Sequence, residues 1–221
     1  MPFFPLAGLP ALSAHTLFCI GRNYAEHARE LNNPVPDRPV VFTKPSTTLL
    51  ADGGTVVLPL VTKDVHHEVE LVVAVGRGGK HIPVESALDH VAGYAIGLDM
   101  TARDIQTSLK SKSQPWELAK GLDTFAPIGN FVPAASIPDP SSLHLELKVN
   151  GEVRQSGSTA DMLHSVAQLI AFLSTYFTLH PGDLIFTGTP AGVSAVNDGD
   201  RLHASLHHGL STLTVGVRRD A

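Results

Sequence analysis

Residues 66–75 read HHEVELVVAV, a nearly continuous apolar stretch that carries two glutamates, Glu68 and Glu70. Every position of residues 71–75 is apolar, which predicts a strand with both faces buried. Side chains two residues apart on a strand share one face, so the two carboxylates are expected to point the same way. The alternative interpretation is that both glutamates lie on the solvent face of an amphipathic strand.

Two carboxylates side by side in a poorly solvated place repel each other, and a shared proton or a bound cation usually offsets that repulsion. A third carboxylate, Asp99, follows the apolar residues 91–98. Glu68, Glu70 and Asp99 would supply oxygen ligands only, which suit Mg²⁺ or Mn²⁺, with Ca²⁺ a further candidate. Three protein ligands would leave positions open for water and substrate, as a catalytic metal requires.

Composition favours a soluble globular enzyme or binding protein. The 221 residues are 43% hydrophobic and 17% charged, enough for a sizeable core. The net charge is −5 without a basic block, which argues against nucleic acid and anionic membranes as partners. A single cysteine, Cys19, suits a reducing compartment. Residues 1–12 contain three prolines and no Lys or Arg, unlike a signal or transit peptide. We therefore expect a cytoplasmic protein.

Short apolar runs and frequent Pro and Gly predict a β-rich α+β fold with few short helices, in a single domain over residues 1–221. Asn150-Gly151 after the alternating residues 143–149 predicts a hairpin with a type I′ turn. Ser158 or Thr159 is expected to cap the last helix. Strands are predicted at residues 16–20, 40–43, 55–58, 67–76, 91–98, 143–149 and 184–187, and helices at residues 24–31, 83–90 and 159–177.

His27 and Glu30 are three residues apart in a predicted helix, so their side chains lie on one face. A carboxylate beside an imidazole orients the ring, which allows His27 to act as a general base on water. An exposed surface pair without function is the alternative. Further along, Arg103, Gln106 and Lys120 could bind an anionic substrate or stabilise developing negative charge, or else be ordinary solvated side chains.

Several short motifs occur in an order that resembles the fumarylacetoacetate hydrolase family, in particular its compact acylpyruvase and fumarylpyruvate hydrolase-like branch. The resemblance covers about residues 16–217. The motifs are GRNYxxHxxE at 21–30, KPS at 44–46, HHEVEL at 66–71, GLDMTARD at 97–104, PW at 115–116, AK at 119–120, KVNGE at 148–152, GD at 182–183 and TGTPAGV at 187–193.

The resemblance implies a role for each matching position. It implies a mixed β-sandwich or roll like the C-terminal domain of fumarylacetoacetase, and commonly a homodimer. The metal ligands would be Glu68, Glu70 and Asp99, the water-activating pair His27 and Glu30, and the lysine that polarises substrate oxygens Lys120. The implied substrate-binding residues are Arg22, Tyr24, Arg103, Gln106 and Thr189.

The reaction implied is hydrolysis of a carbon–carbon bond in a 2,4-diketo acid, such as fumarylpyruvate or an acylpyruvate, to pyruvate and a carboxylic acid. The small 2-oxo acid would bind the metal through its 2-oxo and carboxylate oxygens. Decarboxylation of oxaloacetate, or isomerisation and decarboxylation of a dienedioate, passes through the same enolate and is the alternative. A third hypothesis is a binding protein whose acidic cluster holds a structural ion.

Overall fold

The structure is a computed structural model that describes residues 4–9, 11–30 and 35–221. These residues form the strands β1 (Leu17–Gly21), β2 (Val40–Lys44), β3 (Leu49–Ala51), β4 (Thr55–Leu58), β5 (Val65–His66), β6 (Val69–Val75), β7 (Val91–Leu98), β8 (Thr101–Ala102), β9 (Ala126–Ile128), β10 (Val132–Pro133), β11 (His144–Val149), β12 (Glu152–Ser158), β13 (Leu184–Phe186), β14 (Arg201–Leu206) and β15 (Ser211–Arg219). The α-helices among them are α1 (Ala25–Glu30), α2 (Arg103–Ser111), α3 (Glu117–Lys120) and α4 (Val166–Tyr176).

Two larger sheets and a small one make up the β structure of the described residues. An eight-stranded sheet has the order β2-β1-β13-β6-β7-β9-β3, with β10 added beside β7. A five-stranded sheet has the order β12-β11-β14-β15-β4, and β5 pairs with β8. The sheets are mixed, because β1–β13, β3–β9 and β4–β15 are parallel and the other pairs antiparallel. This confirms the predicted β-rich α+β class.

Strand β6 has an apolar core on each of its faces. Leu71 and Val73 belong to the larger core, which also contains inward side chains of the five-stranded sheet such as Leu147. Val72 and Ala74, on the opposite face, belong to a second core of the eight-stranded sheet. All seven residues of β6 are buried, as the absence of a polar face in residues 71–75 predicted.

The predicted hairpin at Asn150-Gly151 is confirmed. Asn150 and Gly151 have φ angles of 53° and 87°, the left-handed values that a type I′ turn requires. Strands β11 and β12 pair in antiparallel register from Val149 opposite Glu152 to His144 opposite Ser158.

The helix predicted at residues 159–177 is shorter than expected. Ser158 caps only a 3₁₀ turn, Thr159–Asp161, and α4 begins seven residues after the start of that turn. Ser165 is the true cap of α4: its hydroxyl accepts from the N–H of Gln168, whose side chain accepts from the N–H of Ser165. The apolar spacing runs through both the 3₁₀ turn and α4, so it does not show where α4 begins. The capping box at Ser165 sets that position.

Most of the other helical features also differ from the predictions. Residues 83–90 contain a 3₁₀ helix, Val84–His90, that follows Pro83. The predicted helix at 24–31 is α1, and Leu31 lies outside the described residues. Helices α2 and α3 were not predicted. Among the described residues, no helix is long and apolar enough to cross a membrane.

Candidate metal centre and its cavity

Pairing of β6 with β7 brings the three carboxylates together. Val69 lies opposite Leu98 in the antiparallel register, which places Glu68 and Asp99 opposite each other where the two strands end. The N–H of Asp99 donates to the carbonyl of Glu68 at 2.8 Å. One carboxylate oxygen from each of Glu68, Glu70 and Asp99 lies within 4.8 Å of the others, and all three residues are buried.

Cationic side chains contact two of these carboxylates. Lys120 Nζ lies 2.8 Å from Glu68 Oε2 and 2.6 Å from Asp99 Oδ2. Arg103 donates to Glu68 Oε1 at 2.5 Å and to Gln106 Oε1 at 2.7 Å. Burial favours the neutral form of Glu68, but the Lys120 and Arg103 cations outweigh it and lower the pKa of Glu68. Burial likewise opposes charge on Lys120, yet Asp99 and Glu68 raise its pKa.

A third cation, Lys44, belongs to the KPS motif, but the sequence predicts no role for it. Its fully buried ammonium donates to the carbonyls of Met100, Lys120 and Phe125 at 3.1, 2.5 and 2.8 Å. Lys44 Nζ also lies 2.7 Å from Asp99 Oδ1. Three N–H groups serve three carbonyls, so Asp99 Oδ1 has a positive neighbour but no aligned hydrogen bond among the described residues.

Glu70 has no such cationic contact among the residues the structure describes. Its Oε2 accepts a hydrogen bond from the backbone N–H of Gly188 at 2.8 Å. Burial, followed by the repulsion of Asp99 and Glu68, raises the pKa of Glu70 well above its ordinary value. The repulsion expected between neighbouring carboxylates therefore acts mainly on Glu70, as its raised pKa indicates.

The donor set fits a divalent cation. Glu68, Glu70 and Asp99 offer hard oxygen atoms and no sulfur, which is the preference of Mg²⁺, Mn²⁺ and Ca²⁺. Asp99 Oδ1, without an aligned donor, and Glu70, with a raised pKa, are both groups that a cation would satisfy. These residues would hold the ion, in agreement with the sequence prediction.

His27 and Glu30 form the predicted pair on α1. Nδ1 of the buried His27 lies 3.2 Å from Glu30 Oε2. Glu30 is held from its other side, because its Oε1 accepts from the N–H of Gly192 at 3.0 Å. His27 borders the same cavity as the three carboxylates. His27 therefore lies at the candidate site, while Glu30 contacts it from an exposed position outside the cavity lining.

The acidic cluster opens into a cavity of about 40 Å³. Aromatic side chains form part of its wall, with the rings of Phe42 and Trp116 packed edge to face at 5.6 Å. Arg22 and Lys110 add positive charge to the wall. The lining consists of Ile20, Gly21, Arg22, His27, Phe42, Glu68, Glu70, Asp99, Gln106, Lys110, Trp116, Lys120 and Thr189.

Most predicted substrate-binding residues lie at this cavity. Arg22, Gln106 and Thr189 line it, while Arg103 contacts Glu68 and Gln106. Tyr24 does not line it: its buried side chain borders a neighbouring cavity. Its hydroxyl has no hydrogen-bond partner among the described residues.

A buried amide outside the predicted set, Gln155 of β12, connects the acidic strand to the loop that carries Thr189. Its Oε1 contacts the N–H of Val69 at 3.0 Å and His67 Nδ1 at 2.9 Å. Its Nε2 donates to Thr189 Oγ1 at 2.8 Å and to the carbonyl of Pro190 at 2.9 Å. A lone glutamine in a strand pattern carries no sequence signal for this role.

Together these features define a β-rich protein with a buried carboxylate site suited to a divalent cation. The family model described as fumarylacetoacetate (FAA) hydrolase C-terminal matches residues 16–218. This chain belongs to that family, and the predicted mixed β fold of the fumarylacetoacetase C-terminal domain is confirmed.

Among its relatives, oxaloacetate tautomerase FAHD1, mitochondrial, of Arabidopsis thaliana is 47% identical over 203 residues, 92% of this chain and 91% of that protein. Fumarylpyruvate hydrolase of Pseudomonas aeruginosa, whose crystal structure holds Mn²⁺ and pyruvate, superposes with a TM-score of 0.90 at 42% identity, covering 95% of this chain and 91% of that one. The 5-carboxymethyl-2-hydroxymuconate delta-isomerase of Mycobacterium smegmatis superposes with a TM-score of 0.85 at 39% identity, covering 98% and 83%.

Proposed function

We propose that this protein is a divalent-metal-dependent hydrolase that cleaves the carbon–carbon bond of a 2,4-diketo acid, releasing pyruvate and a carboxylic acid. The observation that carries the proposal is the convergence on one cavity of the three carboxylates, Lys120 and His27, whose Nδ1 contacts Glu30. A metal site formed by the carboxylates alone would serve any reaction that passes through a metal-stabilised enolate. The added His27–Glu30 pair supplies what hydrolysis specifically needs, a base for water.

In this mechanism each residue has one task. A cation held by Glu68, Glu70 and Asp99 would supply Lewis-acid stabilisation of negative charge on the 2-oxo and carboxylate oxygens. His27, oriented by Glu30, takes a proton from water, and the resulting hydroxide attacks the 4-oxo carbon. The bond between carbons 3 and 4 then breaks, leaving pyruvate enolate and the acid.

Lys120 and Arg103 supply fixed positive charge for that step. Lys120 borders the cavity, where its ammonium can stabilise charge developing on the enolate oxygen. Arg103 keeps Glu68 in place. The enolate then takes the proton that His27 removed from water, which gives pyruvate and restores the base.

The cavity favours a substrate with a second carboxylate. Partial burial and the nearby Arg22 and Arg103 cations lower the pKa of Lys110, and both Arg22 and Lys110 line the cavity. An anionic group bound beside Arg22 would be attracted to its guanidinium. Fumarylpyruvate carries such a group on its acyl part, whereas acetylpyruvate does not.

We expect Arg22→Gln to lower kcat/KM for fumarylpyruvate on the order of tenfold, the loss of one hydrogen bond to a charged group. The kcat/KM for acetylpyruvate should change much less. Equal losses on the two substrates would contradict a role for Arg22 in binding the distal carboxylate.

Conversion of oxaloacetate is a second candidate function, favoured by the 47% identity to a protein named oxaloacetate tautomerase. Decarboxylation of oxaloacetate releases CO₂ and leaves the same pyruvate enolate, with no attacking water. The metal centre and Lys120 would serve this reaction equally well. Only the requirement for His27 as a base on water separates the two candidates.

A substrate panel with purified wild-type protein and His27→Gln separates them. The panel contains fumarylpyruvate, maleylpyruvate, acetylpyruvate and oxaloacetate, each with Mg²⁺ or Mn²⁺. We expect fumarylpyruvate to give the highest kcat/KM and His27→Gln to remove nearly all hydrolysis while sparing oxaloacetate decarboxylation. A wild-type protein active on oxaloacetate alone would contradict the hydrolase proposal.

Loss of all activity on chelation, without recovery on adding either metal, would instead support a structural ion. The homodimer implied by the family resemblance also remains a proposal. Analytical ultracentrifugation of the purified protein would test it, and a monomer at micromolar concentration would contradict it.

A further inference from the structure

We infer that Gln155 is a positioning residue that forces the hydroxyl of Thr189 to act as a hydrogen-bond donor into the cavity, toward an oxygen of a bound 2-oxo acid. The inference rests on the proposed function for the identity of the ligand. It concerns a residue that the reaction described above does not use.

The orientation of the Gln155 amide follows from two partners that have only one possible role. The backbone N–H of Val69 can only donate, so the Gln155 atom 3.0 Å away must be the oxygen. The carbonyl of Pro190 can only accept, so the Gln155 atom 2.9 Å from it must be the nitrogen. Both conditions select the same orientation of the side chain.

That orientation determines the protons of both neighbouring side chains. Gln155 Oε1 also contacts His67 Nδ1 at 2.9 Å, so His67 must carry a proton on Nδ1. Gln155 Nε2 donates to Thr189 Oγ1 at 2.8 Å, so this hydroxyl oxygen is an acceptor in that bond. The hydroxyl proton of Thr189 must therefore point elsewhere.

The cavity is where that proton can go. Thr189 is 2% exposed and lines the cavity with Glu70 and Lys120. Within residues 4–9, 11–30 and 35–221, the structure shows no second polar contact for Thr189 Oγ1. A carboxylate or carbonyl oxygen bound in the cavity would accept this proton.

The Gln155 amide cannot be reversed without losing hydrogen bonds. Gln155 is 1% exposed and its amide lies between β6 and the loop after β13, so reversing the amide would break the bonds to both Val69 and Pro190. The donor character of Thr189 is thus built into the fold before a ligand binds.

The first test is the proton position on His67, read in Mg²⁺-loaded protein by ¹⁵N–¹H correlation spectra of labelled histidine rings and assigned with a His67→Gln variant. A proton on Nδ1 is expected. A bare Nδ1 would overturn the inferred order of hydrogen bonds, whatever the protein's activity.

The second test is a double-mutant cycle with Gln155→Glu and Thr189→Val, measuring the Kd of pyruvate for the Mg²⁺-loaded protein by calorimetry. A carboxylate at position 155 can only accept, so it would turn the Thr189 hydroxyl away from the cavity. We expect Gln155→Glu and Thr189→Val each to weaken pyruvate binding about tenfold, and the double variant to bind as the singles do. Thr189→Ser, which keeps the hydroxyl, should bind within about threefold of wild type.

Additive losses would overturn the inference, because simple charge repulsion from Glu at position 155 would persist in the Thr189→Val background. Ser174→Ala serves as the control for destabilisation, since Ser174 is a buried hydroxyl bonded to Ile82 and Ala171 and does not line the cavity. It should leave pyruvate binding unchanged. If the wild-type protein bound no pyruvate at all, both the proposed function and the role of Thr189 in binding a keto acid would fail. If the wild-type protein bound pyruvate but the losses in the double-mutant cycle were additive, only the inference about Gln155 would be overturned.

Discussion

Lys44 is a buried cation that contacts Asp99, one of the candidate metal ligands. Its ammonium is enclosed by three backbone carbonyls and lies 2.7 Å from Asp99 Oδ1. Burial lowers the pKa of Lys44, and the Asp99 carboxylate opposes that effect. Lys44 and Asp99 therefore stabilise each other through the attraction between their opposite charges.

We expect Lys44→Met to lower the free energy of unfolding by about 3–5 kcal/mol, because it removes a buried cation beside Asp99 and leaves three backbone carbonyls without their donor. Chemical denaturation would measure the loss. Lys148→Met is the matched control, since Lys148 pairs with Glu146 at 3.0 Å with its side chain 38% exposed; such a pair contributes about 0–1 kcal/mol. Equal effects of the two substitutions would contradict the role given to Lys44.

Glu70 gives the metal-free protein a pH dependence with a definite sign. Burial, Asp99 and Glu68 raise its folded-state pKa above the ordinary 4.5. An acid with a raised pKa binds more protons when folded than when unfolded. Its contribution to stability is therefore complete below about pH 4.5 and is lost as pH rises through the folded-state pKa.

We expect metal-free Glu70→Gln to match wild type near pH 4.5 and to be more stable than wild type at pH 8, where an ionised Glu70 in its buried site destabilises the wild-type protein. Denaturation midpoints across this pH range would show the difference. Glu152→Gln, whose parent side chain is 76% exposed, should show no such trend. A gap between Glu70→Gln and wild type that did not change with pH would be incompatible with a raised pKa.

At the scale of elements, the turn after β13 brings a backbone donor to the acidic cluster. Gly188 has a φ of +98°, and its N–H donates to Glu70 at 2.8 Å. A Cβ at this position would lie 2.7 Å from the Cβ of Asn23 and 3.1 Å from the carbonyl oxygen of Ile20. Only glycine allows β13, β1 and β6 to meet here.

We expect Gly188→Ala to combine a left-handed backbone cost of about 1–2 kcal/mol with an overpacking cost of about 1–3 kcal/mol, and to weaken Mn²⁺ binding. Gly199→Ala isolates the first contribution, because Gly199 has a φ of +86° and a Cβ added there would meet no described atom within 4 Å. Thermal denaturation and Mn²⁺ titration of both variants would distinguish them. Similar losses for the two would contradict the close approach at Gly188.

The elements themselves were only partly predictable from sequence. Strands β6 and β7 were predictable because each is a local apolar run in the sequence. Their antiparallel pairing then places Glu68 opposite Asp99 where the two strands end. Helix α2 was missed because only Ile105 and Leu109 of its nine residues are apolar. His67 and Gln155 meet across 88 residues of sequence, a contact that only the packing of the two sheets creates.

At the scale of the whole molecule, metal binding and folding are coupled. The three carboxylates come from two strands and the residues that flank them, and their cationic neighbours come from β2, α2 and α3. An unfolded chain has no such site, so a cation that binds the folded state stabilises the whole protein. At a free metal concentration about 100 times the Kd this amounts to about 2.7 kcal/mol.

We expect the thermal midpoint of chelator-treated protein to rise with Mn²⁺ or Mg²⁺ concentration, following this relation. Ca²⁺ would serve as a comparison of ion size, and Na⁺ at equal ionic strength as the control for screening. A midpoint that responded equally to Na⁺ would indicate general charge screening rather than a site.

The most direct measurement of the central claim is a calorimetric titration of metal-free protein with Mn²⁺. The wild type should bind one ion per chain, and binding should be lost in Glu70→Ala and in Asp99→Ala while each variant remains folded by circular dichroism. Glu146→Ala, which removes a partly exposed carboxylate outside the cluster, should bind as wild type does. Mn²⁺ binding that survived in both Glu70→Ala and Asp99→Ala would show that these carboxylates do not form the metal centre.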